Sequence, residues 1–585
     1  MLPRTLNELF FSLMERRLSR LVLWKREQEW VPVSAAEFHA QVVATVNGLR
    51  GWGIGRGDRV AILSENRREW TVADFASLLI GAVVVPLYST LTPEQIAFML
   101  RDSGARAIFV SNEKHLRKIS SIREQTKLEQ VILMDASRQV PSMAEFMAAS
   151  PGAHDEWLER SAQSISPDDL ATIIYTSGTT GVPKGVMLTH ENMASNLACS
   201  LRGFDLAPGD VSISYLPLSH ITARHVDFAM LNLGVTIAYV PVIENLPQAL
   251  LEVHPTIFVG VPRLYEKVHG QVELKASGFK KKIYNWSLRV GRANNRSVLA
   301  GRIPASASWK IANRLVYSKV RAGMGGAVRI FISGGAPLGT KLAQWYADVG
   351  IRIHEGYGLT ETSPVIALNN PQNHKLGTVG KPLSNVEVRI AEDGEILVRG
   401  PSVFCSYWNQ PDETRAAFEA DWFKTGDVGD LDADGYLSVT DRKKDLIKTS
   451  GGKFIAPQPL ENSLKHNPLV AEAVVVGERR KFVSVLISPN FVVLEDWART
   501  RQVSCGSREE LVQTAAVQAL YLGIVEALNR DLAQFERLKK VILVAETFSA
   551  EDGSLTASMK LRRRIVEERY RTQIDKSYEE PVAAG

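Results

Sequence analysis

The pattern of apolar and polar positions changes twice along the chain and divides it into three parts. From about residue 34 to 265, short apolar runs alternate with stretches whose apolar residues recur at helical spacing. The runs that predict strands are 59–63, 82–87, 107–110, 131–134 and 171–175, and stretches that predict helices include 71–79 and 93–100. Strands alternating with helices predict a mostly parallel sheet covered on both faces.

The second part, from about residue 378, has the texture of antiparallel β structure. Residues 386–390 and 395–398 flank Asp393-Gly394, and residues 428–439 surround Asp434-Gly435. Asp-Gly between alternating runs is a strong hairpin signal, because both residues tolerate the backbone angles of a tight turn. We therefore expect a small β-rich subdomain over about 378–440.

The third part follows Asp441 and mixes both kinds of element. Strands are predicted at 473–476, 483–487 and 541–544, a helical stretch at 511–535 and a basic helix at 561–574. About 140 residues is a common domain size. The predicted fold class is α/β: a large N-terminal body with parallel sheets, its β-rich subdomain, and a small C-terminal α+β domain.

The first twenty residues predict an amphipathic helix. Its apolar face would consist of Leu6, Leu9, Phe10, Leu13 and Leu18. Acidic residues interrupt the stretch where a signal peptide has an uncharged core. A helix packed on the body is favoured, and a helix that touches a membrane is the alternative. The longest apolar run, residues 76–87, is shorter than the ~20 residues of a transmembrane helix.

Composition excludes several classes of protein. With 585 residues, of which 45% are hydrophobic, the chain suits a globular protein of two to four domains. A net charge of +5 over this length does not predict a nucleic-acid partner. Three distant cysteines suit neither a disulfide framework nor a zinc site. We expect a cytoplasmic protein, with peripheral contact to the inner face of a membrane as an open alternative.

Residues 175–185 are the most informative segment. They combine three glycines, four hydroxyl side chains beyond Tyr175, and Lys184 between a predicted strand and a helix predicted to begin near Thr189. Glycines let backbone N–H groups face an anion, and the hydroxyls and the lysine add donors and charge. Pro183 excludes the Walker spacing. A phosphate-binding loop is favoured over a generic surface turn, and its candidate ligands are Thr176, Ser177, Gly178, Thr179, Thr180, Gly181 and Lys184.

This loop resembles the signature of adenylate-forming enzymes, the superfamily of acyl-CoA synthetases, luciferases and peptide-synthetase adenylation domains. Further blocks follow in the family's order, at residues 356–362, 425–427 and 441–446, and Lys560 matches the catalytic C-terminal lysine. The resemblance covers about residues 30–575. It implies the adenylate-forming fold, with an AMP-binding and acyl-binding domain over 1–440, a hinge at 441–446 and a mobile catalytic-lysine domain over 447–585.

The resemblance also implies a role for each matched residue. Lys560, Thr176, Lys184 and His220 would be catalytic, Asp427 would hold the ribose, Thr176 and Glu361 would bind Mg²⁺, and Asp441 would be the hinge. For Lys444 and Lys448, solvated linker charges remain the alternative. ATP, Mg²⁺ and the co-substrate coenzyme A are implied as ligands. Other implied nucleotide contacts are Gly334, Gly335, Ala336, Glu355, Gly356, Tyr357, Gly358, Thr360, Tyr436, Arg442, Lys444, Lys448 and Lys560.

The length and composition of the segment 263–332 indicate which class of acyl group the protein uses. Many members for short or aromatic acids bridge these blocks with a much shorter segment. This longer one, which includes the aromatic residues Tyr265, Trp286, Trp309 and Tyr317 and the lysine run 280–282, looks like long-chain fatty acyl-CoA synthetases. Extra scaffold is the alternative. The resulting hypothesis is ATP-dependent ligation of a long-chain fatty acid to coenzyme A through acyl-AMP, with release of AMP and pyrophosphate.

Four rival functions share these motifs. They are a ligase for a medium-chain or bile acid, acyl transfer to a carrier protein, a luciferase-like oxygenase, and a non-catalytic nucleotide or lipid binder. No Asp-Ser carrier segment follows, and the intact Lys184, Glu361, Asp427 and Lys560 argue against a silent binder. The expected partners are small molecules and no nucleic acid, and the expected state is a monomer or homodimer.

Overall fold

A computed structural model describes residues 3–137, 139–150, 156–176, 183–451, 453–503, 505–549, 552–555 and 561–579. The strands are β1 (Val22–Arg26), β2 (Glu29–Val33), β3 (Arg59–Leu63), β4 (Val83–Leu87), β5 (Ala107–Val110), β6 (Gln130–Leu133), β7 (Leu170–Thr176), β8 (Lys184–Thr189), β9 (Val211–Ser214), β10 (Thr236–Tyr239), β11 (Ile257–Gly260), β12 (Ile330–Ser333), β13 (Ile353–Gly358), β14 (Val365–Leu368), β15 (Lys381–Pro382), β16 (Glu387–Ile390), β17 (Glu395–Arg399), β18 (Ser406–Tyr407), β19 (Phe418–Glu419), β20 (Trp422–Leu431), β21 (Leu437–Arg442), β22 (Ile447–Lys448), β23 (Phe454–Ile455), β24 (Val470–Val476), β25 (Ser484–Pro489) and β26 (Val541–Leu543).

The α-helices are α1 (Leu6–Glu15), α2 (Ala35–Gly51), α3 (Arg68–Leu79), α4 (Pro93–Ser103), α5 (Glu113–Ile122), α6 (Met143–Ala149), α7 (Glu156–Gln163), α8 (His190–Ser200), α9 (Ile221–Leu233), α10 (Leu246–Val253), α11 (Pro262–Lys275), α12 (Gly278–Leu299), α13 (Ala307–Ala312), α14 (Ser318–Ala322), α15 (Thr340–Asp348), α16 (Pro411–Ala417), α17 (Pro457–Lys465), α18 (Phe491–Thr500), α19 (Arg508–Gln513), α20 (Ala515–Asn529), α21 (Arg563–Arg569) and α22 (Arg571–Glu579). Among the helices within these described ranges, none combines the length and apolar character needed to cross a bilayer.

Two large sheets form the body. One has nine strands in the order β15-β14-β13-β12-β11-β9-β10-β1-β2, and the other has seven in the order β18-β8-β7-β4-β3-β5-β6. The strands from β13 to β1 in the first sheet, and from β7 to β6 in the second, are parallel to their neighbours. Because parallel strands are joined by crossovers that place helices on the sheet faces, these sheets are buried on both sides. The predicted fold class is confirmed.

The N-terminal helix packs on the body, as the pattern favoured. Thr5 caps α1 by accepting a hydrogen bond from the Glu8 backbone N–H, and Leu6, Leu9 and Leu13 are fully buried. They belong to the large hydrophobic cluster that also contains residues of α2, α3 and α9. The helix ends at Glu15, so Leu18 lies beyond it, although it still packs against the same cluster.

The β-rich subdomain shares hydrophobic clusters with the body, whereas the C-terminal part has its own. Strands β16, β17, β20, β19 and β21 form one five-stranded sheet, with both predicted hairpins in place. Two further clusters contain only residues from Ile447 onward, around the three-stranded sheet β24-β25-β26. The exact domain limits inferred from the sequence remain predictions.

Two local predictions differ from the structure, and a third is confirmed with an addition. The helix predicted to begin near Thr189 is α8, which begins at His190 with Thr189 as its cap, but strand β8, antiparallel to β7, precedes it, so the loop closes a hairpin. The helical stretch predicted to reach residue 535 ends at Asn529. The basic C-terminal helix is two helices, because the chain breaks at Tyr570, whose side chain is buried beside Phe548.

The long segment predicted at 263–332 forms a helical layer on the first sheet. Helix α12 crosses α15 so closely that a Cβ at Gly291 would lie 1.9 Å from the backbone oxygen of Asp348. The Tyr317 hydroxyl donates to the Ser287 carbonyl oxygen at 2.6 Å, which fixes the returning helices α13 and α14 against α12. Of the four aromatic side chains noted in this segment, Tyr265, Trp309 and Tyr317 are buried and Trp286 is partly buried.

Gly291→Ala should destabilise the protein, because the methyl group has no room at this helix crossing. Overpacking of this kind costs about 1–3 kcal/mol. The matched control is Gly270→Ala in α11, where a Cβ meets no atom within 4 Å. Since Ala is favoured over Gly in helices by ~1 kcal/mol, the control should be neutral or stabilising. Thermal unfolding followed by circular dichroism measures both, and an unchanged midpoint for Gly291→Ala would contradict the close crossing.

Candidate active site

The candidate residues converge where the parallel strands of the first sheet end. The segments that follow β9, β11, β12 and β13 carry His220, Val261, Gly334 and Glu361 respectively. In open α/β sheets, the carboxyl ends of the strands form the crevice that binds ligands. The end of β7 contributes Thr176 from the second sheet, so the site lies between the two sheets.

The described part of the glycine-rich loop consists of its two hairpin stems. The Thr176 hydroxyl lies 3.5 Å from the Lys184 carbonyl oxygen, and Gly185 packs so closely against Trp408 that a Cβ would lie 3.1 Å from it. Ser177, Gly178, Thr179, Thr180 and Gly181 lie outside the described residues. Because the loop joins two strands, anion binding would depend on its own N–H groups and side chains, without the helix N-terminus considered from the sequence.

Lys184 is linked to Glu361 through a tyrosine. The Lys184 ammonium forms an ion pair with Glu413 of α16 and lies 5.1 Å from the centre of the Tyr407 ring. The Tyr407 hydroxyl donates to Glu361 Oε1 at 2.9 Å. Tyr407 therefore contacts both the predicted phosphate-binding lysine and the predicted magnesium ligand, and it connects the two.

Asp427 is a buried carboxylate that joins two further candidates. Its Oδ2 accepts a hydrogen bond from the Tyr357 hydroxyl at 2.7 Å, and its Oδ1 lies 3.1 Å from Arg442 Nε. Burial raises the pKa of the Tyr357 hydroxyl, and the negative charge of Asp427 raises it further. Tyr357 therefore stays protonated and donates. Asp427 keeps lone pairs for other donors, as a ribose-binding carboxylate requires.

Arg442 connects this carboxylate to the phosphate side of the site. Burial opposes its charge, but the carboxylate of Asp427 and, to a smaller extent, that of Glu361 raise the pKa of its guanidinium. Lys444 lies nearby, and burial followed by the charge of Arg442 lowers the pKa of its ammonium. Arg442 and Lys444 thus place two basic groups next to Asp427, where they could bind an anionic ligand.

Gly334 and Gly356 line the neighbouring ends of β12 and β13. A Cβ at Gly334 would lie 3.7 Å from the Gly356 carbonyl oxygen, so both backbones face the same narrow space. Gly335 has φ of +82°, which a residue with a side chain rarely adopts. Burial raises the pKa of Glu355 to about 7, although the Leu338 backbone N–H donates to it. Near neutral pH, Glu355 therefore carries a proton in much of the population. Ala336 lies after β12, Gly358 is the last residue of β13, and Thr360 lies just after β13.

His220 lies at the N-terminus of α9. Its Nδ1 accepts a hydrogen bond from the Thr222 backbone N–H at 3.2 Å. The preceding loop is held by Asn66, which donates to the Leu216 carbonyl oxygen and accepts from the Leu218 backbone N–H, at 2.7 and 3.1 Å. The sequence did not single out Asn66, since one asparagine after a strand carries no distinctive signal.

Asp441 connects the body to the C-terminal part. Its carboxylate accepts hydrogen bonds from the backbone N–H groups of Arg442 at 2.7 Å and of Gln458 in α17 at 3.0 Å. Burial raises its pKa to about 6. A second link is the ion pair between Arg263 of α11 and Glu472 of β24 at 2.6 Å. The predicted hinge residue is thus hydrogen-bonded to the next residue of the hinge and to the first helix of the C-terminal part.

Two candidates, Tyr436 and Lys448, are not brought together with the others. Tyr436 lies at the turn of the β20–β21 hairpin, beyond the Leu431–Leu437 pair, whereas Asp427 pairs with Arg442 at the other end. Its ring faces Lys375 and Lys381. Lys448 is exposed and lies over Phe454 in the C-terminal part. Lys560 lies outside the described residues.

The residues present fit a magnesium ion held mainly by a ligand's phosphates. Within the part of the chain that the structure describes, no three His, Cys, Asp or Glu side chains cluster as a metal site. Glu361 and Thr176 supply one carboxylate and one hydroxyl. Mg²⁺ commonly takes one or two protein carboxylates and completes its octahedral shell with water and phosphate oxygens.

Sequence comparison identifies the family. The profile described as AMP-binding enzyme matches residues 14–408, and that of the AMP-binding enzyme C-terminal domain matches residues 444–581. The chain belongs to the AMP-binding enzyme family. The profiles thus cover most of the body and the C-terminal part, and the stretch 409–443, which contains Asp427 and Arg442, lies between them.

Individual proteins align with this chain over nearly its whole length. The long-chain-fatty-acid–CoA ligase FadD15 of Mycobacterium bovis is 36% identical over 94% of this chain and 92% of its own. The long-chain-fatty-acid–CoA ligase ACSBG2 of Xenopus laevis is 30% identical over 99% of this chain and 84% of its own. The crystal structure of the anthranilate CoA ligase AuaEII with anthranoyl-AMP superposes with a TM-score of 0.74 at 21% identity, over 98% of this chain and 99% of that one. That likeness supports the adenylate-forming fold.

Glu413→Gln should tighten ATP binding, because Glu413 competes with phosphate oxygens for the Lys184 ammonium. A partly exposed ion pair contributes up to ~1 kcal/mol, so the dissociation constant should fall by about two- to fivefold in calorimetric titrations. Asp412→Asn is the matched control, since Asp412 is exposed and pairs with Arg415. An equal change in both variants, or none in Glu413→Gln, would contradict the competition.

Proposed function

We propose that this protein is an ATP-dependent long-chain fatty acid–CoA ligase that works through an acyl-AMP intermediate. The observation that carries the proposal is the long-chain ligase FadD15, which aligns at 36% identity over 92% of its own length. The linked contacts of Lys184, Tyr407, Glu361, Arg442 and Asp427 support it, because they supply donors and charge for a nucleotide triphosphate.

The first half-reaction joins the acid to AMP. A carboxylate oxygen of the fatty acid attacks the α-phosphorus of ATP, the bond to the β-phosphate oxygen breaks, and pyrophosphate leaves with that electron pair. Asp427 would accept hydrogen bonds from the ribose hydroxyls, and Lys184 and Arg442 would stabilise charge on the phosphates. Mg²⁺, held by Glu361 and Thr176, would neutralise phosphate charge as pyrophosphate departs.

His220 and Lys560 would act at the carboxylate. The N-terminus of α9, with His220 as its cap, lies at the rim of the site where the acid's carboxylate would approach. Lys560 would pair with the incoming carboxylate and with the α-phosphate oxygens, as the resemblance implies. Both assignments are part of the proposal, as are those of Ser177, Gly178, Thr179, Thr180 and Gly181 in the phosphate loop.

The second half-reaction makes the thioester. The coenzyme A sulfur attacks the acyl carbonyl carbon, the bond to the AMP oxygen breaks, AMP leaves, and the thiol proton passes to solvent or a base. We propose that the domain from residue 447 rotates about 441–446 between the half-reactions, so that one site serves two transition states. The hydrogen bond that Asp441 accepts from the backbone N–H of Gln458 in α17 supports a pivot at this residue, because it joins the end of β21 to the C-terminal part.

The chain-length dependence of turnover tests the substrate. Each buried CH₂ contributes ~0.8 kcal/mol, so kcat/KM should rise steeply from acetate to acids of sixteen or so carbons in an apolar tunnel. Acid-dependent AMP formation with coenzyme A is the measurement, and benzoate is the control for a bulky short acid. A flat or falling series would overturn the long-chain assignment while leaving the adenylating activity intact.

Lys560→Ala should separate the half-reactions. Removing one preorganised donor commonly lowers the rate by about 10²–10³-fold, so acid-dependent ATP–pyrophosphate exchange should fall to that extent. Thioester formation from supplied acyl-AMP should stay close to the wild-type rate. Lys539→Ala, an exposed lysine of the same domain, is the control and should change neither. Equal loss of both half-reactions in folded Lys560→Ala would argue against domain rotation.

A further inference from the structure

The positive charge of this protein is concentrated in one helical layer. Between residues 274 and 347 there are 14 Lys and Arg residues and no Asp or Glu. The rest of the chain has 55 basic and 64 acidic residues, so it carries a net charge of −9. The overall charge of +5 therefore conceals a strongly basic segment, and 12 of its 14 cations lie between residues 274 and 322, in α12, α13 and α14 and the turns around them.

The basic side chains point away from the body. Helix α12 buries Tyr284, Ser287, Gly291 and Val298, which recur at helical spacing. Its opposite stripe is exposed and consists of Lys281, Arg289, Arg292 and Arg296. The returning helices bury Trp309, Ala312, Tyr317 and Val320 and expose Lys310, Arg314 and Lys319. Both helices of this antiparallel pair thus present cations on the side that faces solvent.

The same layer exposes large apolar side chains. Ile303, after α12, is 91% exposed and Phe279, at the start of α12, is 74% exposed. Leu274, Ile311 and Leu315 are also exposed, each by more than 40%. Exposed apolar groups among cations are typical of surfaces that meet a bilayer interface, where the apolar groups enter the acyl boundary and the cations meet anionic headgroups.

We propose that this layer, residues 274–322, docks the protein on the surface of an anionic lipid bilayer. A nucleic acid or an acidic protein would also attract the cations, but neither accounts for isolated Ile and Phe side chains at the tips of the layer. Arg292 of this layer pairs with Asp348 at 2.7 Å, whereas Lys280, Lys281 and Lys282 are exposed and have no ion pair with any described carboxylate, which leaves their charges free for headgroups.

Docking here would bring the site close to the lipid. Helix α11 begins at Pro262, directly after β11, whose carboxyl end lies at the rim of the candidate site. It leads to Leu274 and then to α12, so one continuous segment connects the site with the proposed lipid-facing layer. On the proposed function, whose substrate partitions into bilayers, the acid would reach the site without crossing bulk water.

Vesicle flotation of the full chain tests the proposal. The probe is phosphatidylcholine vesicles with and without an equal share of phosphatidylglycerol, and binding should require the anionic lipid and weaken as salt is added. Each surface cation contributes about fivefold in partition. Replacing Lys280, Lys281 and Lys282 with Gln should therefore lower partition about 100-fold. The control replaces Lys114, Arg479 and Arg499, which are exposed elsewhere, with Gln.

The apolar contribution is tested separately. Phe279→Ser with Ile303→Ser should lower partition at least tenfold at any salt concentration. The matched control is Val492→Ser with Leu522→Ser, two exposed apolar residues of the C-terminal part. Binding is measured without substrate, and every variant should ligate a dissolved medium-chain acid at the wild-type rate, so failure here is distinct from failure of the proposed function. Equal binding to both vesicle types, or equal loss in the controls, would overturn the proposal.

Discussion

The arrangement of the site depends on one buried carboxylate. Asp427 on β20 accepts from Tyr357 on β13 and pairs with Arg442 at the end of β21, so it ties the first sheet to the β-rich subdomain and to the start of the predicted hinge. A buried charge is costly unless it is paired and hydrogen-bonded. The same donors that stabilise Asp427 fix the positions of a ring and a guanidinium, and this is how three distant parts of the chain form one site.

On the phosphate side of the site, the buried charge that needs a partner is positive. Lys184 is mostly buried at a sheet edge and needs an anion nearby. Glu413 fills that need in the structure described here, and Tyr407 connects the lysine to Glu361. On the proposed function, a phosphate and Glu413 would pair with the same ammonium, so ligand binding and the position of α16 would be coupled. With Glu413 in this position, the Lys184 ammonium has an anionic partner before a substrate binds.

Acidic and basic residues are also unevenly distributed over the molecule as a whole. The body is net acidic outside a single basic helical layer, although the whole chain is close to neutral for its length. We propose that this layer docks on a lipid bilayer, whereas the length of the same segment was the sequence feature that indicated a long acyl group. Its inner face packs on the first sheet through Gly291 and Tyr317, whereas its outer face carries cations and isolated apolar side chains. Packing thus determines which residues of the segment remain available to a partner.

The sequence by itself determined the fold class, several elements and the order of the motifs. Strands β3 and β5 lie at the predicted residues. Both are buried on the two faces of the sheet, so each appears in the sequence as a short apolar run whose ends mark the ends of the strand. Both Asp-Gly hairpins form, since their turns depend on local backbone angles. The motifs around Lys184, Tyr357, Asp427 and Asp441 carry chemistry in residues that are close in sequence, so they could be recognised without coordinates.

Tertiary structure alone decided which of these residues meet. Strand β8 was missed because its partners are β7 and β18, and β18 lies more than 200 residues away. Tyr407, Glu413 and Asn66 have no local pattern, and they matter only through contacts across the fold. Conversely, Tyr436 matched a family position, yet the hairpin carries it away from Asp427. Periodicity and turn chemistry are local and can be read from the chain, whereas the pairing of distant charges and donors depends on packing that only the folded chain supplies.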